Sequence, residues 1–244
     1  MKVRLDRFLV ERGLVTTRER AQALILAGRV LVNEQKVEKP GAAVAEDAAV
    51  RLLGDDLRYV SRGGLKLEAA LAHWKIDLAD RICADVGAST GGFTDCMLQH
   101  GAATVVAMDT GYGQIAHKLR VDSRVKLMER TNARHLQREQ ITAAVTFLAM
   151  DVSFISATLV LPAAVRAMRP CLTETVVLVK PQFEAGREHV GKGGIVRDPA
   201  AHALAVERVR HAVGELGGVE IEVIDSPVLG AEGNREFLLY SRWA

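Results

Sequence analysis

Three cysteines, Cys83, Cys96 and Cys171, are all that this 244-residue chain contains. Their number is odd and none stands at metal-binding spacing. That argues against a disulfide framework and a cysteine zinc site, and reduced core thiols are expected. The seven histidines show no zinc pattern either, so no metal is expected. Long apolar runs are also missing. The longest uncharged stretch, Val152 to Val165, is too short to span a bilayer and contains Pro162. Lys2, Arg4, Asp6 and Arg7 interrupt the start where a secretory leader would be apolar, so the expected location is cytoplasmic. A large excess of one charge is absent, the net value being +2. What remains, 49% hydrophobic and 25% charged residues, suits a soluble globular protein with a well-buried core and room for a small accessory domain.

The most informative segment is Asp85-Val-Gly87-Ala88-Ser89-Thr90-Gly91-Gly92-Phe93. Arg81 to Ala84 is short and β-compatible, Phe93 to His100 keeps helical periodicity, and Gly101 is a stop signal. The sequence therefore predicts a first βα turn with a ligand at the helix N-terminus. A dinucleotide fingerprint needs a second glycine where Ser89 stands, and no Lys-Ser/Thr follows for a triphosphate loop. An ordinary glycine-rich turn is the plain alternative. The spacing Gly87-x-x-x-Gly91-Gly92 after an acidic residue resembles the S-adenosylmethionine turn of Rossmann-like methyltransferases.

Further strands are expected at Thr104 to Asp109, Arg124 to Glu129, Ala144 to Asp151 and Thr175 to Lys180. Asp109 falls just over twenty residues past Gly87, where such folds place the acid that holds ribose hydroxyls. Asn132 follows the third strand, either to reach an adenine edge or to cap a turn. Asp151 and Lys180 end the last two strands of this set. Carboxyl ends of strands in open α/β sheets line the ligand crevice, and charge there costs burial energy that structure alone does not offset.

Residues 1 to 39 hold nine Lys/Arg against five Asp/Glu, a net of +4, leaving 23 against 25 in the rest. A helix around Leu5, Phe8 and Leu9 ends at Gly13. A second, capped by Thr16 or Thr17, stops at Gly28. Val30 to Val32 and Lys36-Val37 then read as a hairpin. This platform would display Arg4, Arg7, Arg18, Arg20, Arg29 and Lys36 to phosphates, or merely form a solvated basic face.

Arg4-Leu-Asp-Arg-Phe-Leu, Gly13-Leu-Val-Thr-Thr-Arg-Glu-Arg-Ala, Leu26-Ala-Gly-Arg-Val-Leu-Val-Asn33 and Val37-Glu-Lys-Pro-Gly41 resemble the RNA-binding module shared by a small-subunit ribosomal protein, tyrosyl-tRNA synthetases and pseudouridine synthases. Joined through Tyr59-Val-Ser-Arg-Gly-Gly-Leu-Lys-Leu-Glu68 to the glycine-turn domain, the chain resembles the TlyA (hemolysin A) family of ribosomal RNA ribose methyltransferases. One departure is Leu57-Arg-Tyr-Val60, where relatives carry an Arg-x-Trp-Val linker. The resemblance implies an α/β fold: a small α+β RNA-binding module over 1–58, a linker at 59–64, and a Rossmann-like domain over 65–244 with a mostly parallel seven-stranded sheet and helices on both faces. It also implies S-adenosylmethionine as cofactor, cytidine in ribosomal RNA or its subunits as substrate, and an FtsJ-like catalytic tetrad of Lys66, Asp151, Lys180 and Glu236. Lys180 would be the base, Lys66 an orienting cation, and the carboxylates would position both. A lysine takes a proton only when neutral, which a nearby cation favours and a carboxylate opposes. Glu184 to Arg197 is expected as a partly basic flap. The alternatives are a base N-methyltransferase, for which Asp151-Val-Ser-Phe154 departs from the usual Pro-Pro turn, and a non-catalytic RNA-binding or hemolysin-like protein.

Overall fold

The computed structural model describes residues 2–15, 17–53, 58–169, 171–230 and 233–243. The chain forms two compact units, Met1–Leu57 and Arg58–Ala244.

In the first unit, β1 (Lys2–Arg4) leads directly into α1 (Leu5–Glu11), followed by α2 (Arg18–Leu26), β2 (Val30–Val32), β3 (Gln35–Lys36), β4 (Ala43–Ala45) and β5 (Val50–Leu52). Thr17 caps α2 by accepting the Arg20 N–H, which satisfies one of the helix's orphan donors; Thr16 lies outside the described residues. The expected hairpin forms with Asn33 and Glu34 both at positive φ, as a two-residue turn matched to strand twist requires. β5 pairs with the other side of β2, and β1 pairs with β4. Leu5, Leu9, Ala21, Ile25 and Val30 are fully buried between the helices and the sheet.

The second unit begins with residues expected to be a linker, which instead pack into it. Tyr59 is 2% exposed, and the Val60 N–H donates to Asp95 Oδ2. α3 (Gly63–Trp74) follows, then β6 (Ile82–Val86), α4 (Gly92–Gln99), β7 (Thr104–Met108), α5 (His117–Arg120), β8 (Val125–Met128) and β9 (Phe147–Met150). α6 (Ala157–Met168), β10 (Glu174–Val179), α7 (Pro181–Glu184), α8 (Pro199–Glu215), β11 (Gly218–Asp225) and β12 (Phe237–Trp243) complete it. One seven-stranded sheet runs in the order β11-β12-β10-β9-β6-β7-β8. β6 to β10 pair in parallel, and β12 is antiparallel to both neighbours. This is the expected Rossmann-like fold. Alternate side chains bury on opposite faces: Leu148 and Met150 pack with α6 and α8, and Phe147 and Ala149 with α3 and α4.

The chain leaves β8 and crosses back to β9 on the other side of β6. The strand order therefore reverses at β6, and the crevice beyond its carboxyl end is the ligand position in such sheets. An antiparallel β12 starts where its parallel neighbours end, with Phe237 opposite Val179. Glu236 is thus delivered to the edge that already holds Asp151 and Lys180.

β6 differs from the prediction in one instructive way. It continues through Asp85, which is fully buried. A buried carboxylate argues against a strand unless it is hydrogen bonded, and here Asp85 Oδ2 accepts both the Thr94 N–H at 2.8 Å and the Thr94 hydroxyl at 2.6 Å. Burial still dominates and pushes this carboxyl up to about 7.

Candidate active site

Two lobes of one crevice open at the carboxyl edge of the sheet. One, of about 450 Å³, is lined by Asp109, Asn132, Val152 and Ile155 among others; the other, of about 380 Å³, by Lys66, Thr90, Phe93 and Lys180. Gly87, Ser89, Asp151 and Ser153 belong to both.

The first lobe fits a nucleoside. Asp109 stands at the end of β7, where Oδ2 accepts the Ser89 N–H at 2.8 Å and Oδ1 the Gly111 N–H at 2.7 Å. Those bonds fix the carboxylate and leave lone pairs for ribose hydroxyls. Asn132 Oδ1 caps a short turn by accepting the Arg134 N–H, and the residue also lines the lobe, where amide N–H groups are of a kind that suits a base edge. Gly87, at φ 90°, is required by its neighbour strand as much as by any ligand, since a Cβ there would strike the Asp151 carbonyl.

Ala88, Thr90, Gly92 and Phe93 line the second lobe. Gly92 does so while letting α4 approach Ser61 and the start of α3. Asp85 and Gly91, expected at the cofactor, line neither lobe. Asp85 ties β6 to α4, and Gly91 holds φ 95° with its missing side chain replaced by Leu119.

Lys66, Asp151 and Lys180 line the second lobe, and with Glu236 behind them they form two ion pairs. Lys180 Nζ lies 2.6 Å from Asp151 Oδ1, and Lys66 Nζ donates to Glu236 Oε2 at 2.5 Å. Lys66 comes from the first turn of α3, on the face toward β12. Glu236 does not line the lobe; it is 3% exposed and sits behind Lys66, where a side chain at Gly230 would collide with it. Glu236 orients Lys66 through a hydrogen bond, and Asp151 stands against Lys180 as a counter-charge, so the crevice presents two held nitrogens to a bound substrate.

Two residues that sequence reasoning set aside are prominent. Ser153 accepts a hydrogen bond from Lys180 Nζ at 2.7 Å. Phe154 is 93% exposed at φ 64° and lies 5.6 Å from the Phe183 ring. A bulky residue in the left-handed region is a conformational outlier, and outliers of this kind concentrate at functional sites. Their sequence signal was the Asp151-Val-Ser-Phe154 run itself.

The expected flap is pinned at both ends. Glu184 is buried and accepts the Ser156 hydroxyl and the Ala157 N–H, each at 2.6 Å, with burial raising its carboxyl above the usual range. At the other end Val196 donates to Asn234 Oδ1, and its carbonyl contacts His202 Nε2.

The basic residues of the first unit are less free than expected. Asp6 is fully buried and accepts from Arg4 Nε and Nη2, Arg18 Nε, Gln22 Nε2 and the Arg7 N–H. Arg4, first, and then its other partners hold this carboxyl well below the usual range. Arg7 pairs with Glu11, Lys36 with Glu38, and Arg29 Nε donates to the Leu53 carbonyl. Arg4 and Arg18 nevertheless remain half exposed, so Asp6 aims two guanidinium groups rather than cancelling them.

A Rossmann-like sheet whose switch-point crevice joins a nucleoside lobe to a lysine–carboxylate lobe defines a methyltransferase of the S-adenosylmethionine-dependent class. Residues 59–243 match the FtsJ-like methyltransferase family and residues 3–50 the S4 domain. A Bacillus subtilis protein provisionally named the rRNA methyltransferase YqxC is 49% identical over 99% of this chain and 86% of its own. The Mycobacterium tuberculosis 16S/23S rRNA (cytidine-2'-O)-methyltransferase TlyA is 46% identical over 99% of this chain and 90% of its own. A solved structure from Streptococcus thermophilus, provisionally described as a hemolysin, is 43% identical, covers 100% of this chain and 89% of that one, and superposes with a TM-score of 0.76. The chain belongs to the FtsJ-like methyltransferase family and carries an S4 domain at its N-terminus.

Proposed function

We propose that this protein transfers the methyl group of S-adenosylmethionine to a cytidine 2'-hydroxyl of ribosomal RNA, working in the cytoplasm, with residues 1–58 binding RNA and the remainder catalysing. The observation that carries this reading is the pair of lysine–carboxylate contacts in the lobe that adjoins Asp109's nucleoside lobe. When bound, S-adenosylmethionine supplies an electrophilic methyl group on a sulfonium.

A ribose hydroxyl is a poor nucleophile and must lose its proton as it attacks, so a positioned base contributes roughly 10²- to 10⁴-fold. Lys180, in its neutral form, is that base, and Asp151 at 2.6 Å then compensates the ammonium it becomes. Lys66, held by Glu236, keeps a cation beside the oxygen on which negative charge develops. An amine acceptor would give these two lysines no task. Phe154 at the rim offers an exposed ring, the surface on which unstacked RNA bases pack.

Among the described residues no helix is long and apolar enough to cross a membrane, which gives the hemolysin alternative no spanning helix to act through. Mapping 2'-O-methylation on ribosomal RNA from cells with and without the protein tests the proposal: one or more cytidine sites should lose the modification. Unchanged maps would remove it.

A further inference from the structure

Ser153 stands where the two lobes meet, with its Oγ 2.7 Å from Lys180 Nζ. Among the described residues it is the acceptor aligned for a hydrogen bond with that nitrogen. Asp151 Oδ1 is nearer, at 2.6 Å, yet no donor is aligned with it. The carboxylate therefore supplies charge without direction, and the serine hydroxyl supplies direction. That division matters for a base. A neutral lysine nitrogen carries two N–H bonds and one lone pair, only the lone pair takes a proton, and the group spins about its last bond unless an N–H is anchored.

Resting on the reading of Lys180 as base, we propose that Ser153 is a positioning residue: its Oγ accepts one N–H of neutral Lys180 and so turns the lone pair into the crevice toward the ribose hydroxyl. As the O–CH₃ bond forms, the electron pair of the breaking S–CH₃ bond stays on sulfur. The hydroxyl proton goes to the Lys180 lone pair, and the resulting ammonium keeps its bond to Ser153 beside the Asp151 carboxylate. The serine's own proton is not consumed. Ser153 is exposed, so losing its oxygen leaves no cavity and little change in fold stability. The effect belongs to turnover.

The test is single-turnover methyl transfer to ribosomal subunits by full-length Ser153→Ala, Ser153→Thr and Lys180→Ala proteins, with S-adenosylmethionine affinity and melting temperature measured on each. Ser153→Ala should lose roughly 10- to 100-fold in rate at saturating substrate, a fraction of what a positioned base supplies, with cofactor affinity and KM within about twofold of the parent, the pattern of a group used only in the transition state. Threonine, which keeps the acceptor oxygen, should restore most of the rate. A wild-type rate in Ser153→Ala, or a folded threonine variant as slow as alanine, overturns the proposal while leaving the base assignment intact if Lys180→Ala is silent. A Lys180→Ala protein that turns over normally overturns both.

Discussion

Glu236 Oε2 accepts a 2.5 Å hydrogen bond from Lys66 Nζ across 170 residues of sequence, with both side chains buried. The pair exists because β12 runs antiparallel to β10 and starts at the crevice edge, and because α3 places its first turn against that start. Breaking a buried pair from one side leaves an uncompensated charge, at a cost of about 3–5 kcal/mol. Glu236→Ala should therefore lower the melting temperature by several degrees and slow methyl transfer through a displaced Lys66. The double variant Lys66→Met/Glu236→Leu should recover stability but not turnover. Thermal denaturation alongside a single-turnover assay checks both halves; equal loss of stability in the single and double variants would contradict the account.

The cofactor lobe makes a separate prediction. Asp109→Ala removes the carboxylate that organises Ser89 and Gly111 and would meet ribose hydroxyls. Hydrogen bonds to charged groups contribute about 1.5–3 kcal/mol, so calorimetry should show S-adenosylmethionine binding weakened by roughly 10- to 100-fold. Gly87→Val should do at least as much, because it must hold φ 90° and clear the Asp151 carbonyl. Unchanged affinity in both folded variants would sink the assignment.

Much of this site was legible in the sequence, for a stateable reason. Asp109, Asp151 and Lys180 are charges closing apolar strand-like runs, and strand ends in an open sheet converge on one crevice. Lys66 and Glu236 were not legible as a pair, because nothing local signals a contact between a helix's first turn and a strand 170 residues later; the family resemblance alone named Lys66. Asp85 is legible as a charge at a strand end, but its burial and its compensation by Thr94 have no local signal. β11 went unread although Val219-Glu-Ile-Glu-Val223 alternates as an edge strand does. The N-terminal arginines are legible as basic, but nothing in the sequence marks Asp6 as their organiser, which its burial and hydrogen bonds reveal.

Asp85 gives the chain a pH dependence whose sign is fixed. Its carboxyl is raised to about 7 by burial, against about 3.9 in an unfolded chain. Its contribution to stability is therefore fully present below roughly pH 4 and lost as the pH rises through about 7. Asp85→Asn keeps an acceptor for Thr94 without the charge. The variant should melt a few degrees above the parent at pH 8, with the difference shrinking toward pH 5; a pH-independent difference in melting temperature would exclude this origin.

In the S4 domain, reversing Arg7 and Arg20 to Glu should weaken RNA binding and flatten its salt dependence while leaving cofactor binding unchanged, since such side chains neutralise phosphates rather than read bases. Asp6→Ala should act differently. It removes the acceptor shared by Arg4, Arg18 and Gln22 and should destabilise the domain, visible as earlier melting of the isolated S4 signal in hydrogen exchange. Arginine reversals that leave the salt slope unaltered would assign RNA affinity elsewhere.

The central claim is that two held lysines serve a ribose hydroxyl. Purified protein should be incubated with ribosomal subunits and methyl-labelled S-adenosylmethionine, and the RNA digested to nucleosides for mass spectrometry. The account predicts label in 2'-O-methylcytidine, absent with Lys180→Ala and also with Lys180→Arg, which keeps the charge but cannot deprotonate. Label on a base, or near-normal label with the arginine variant, would contradict it.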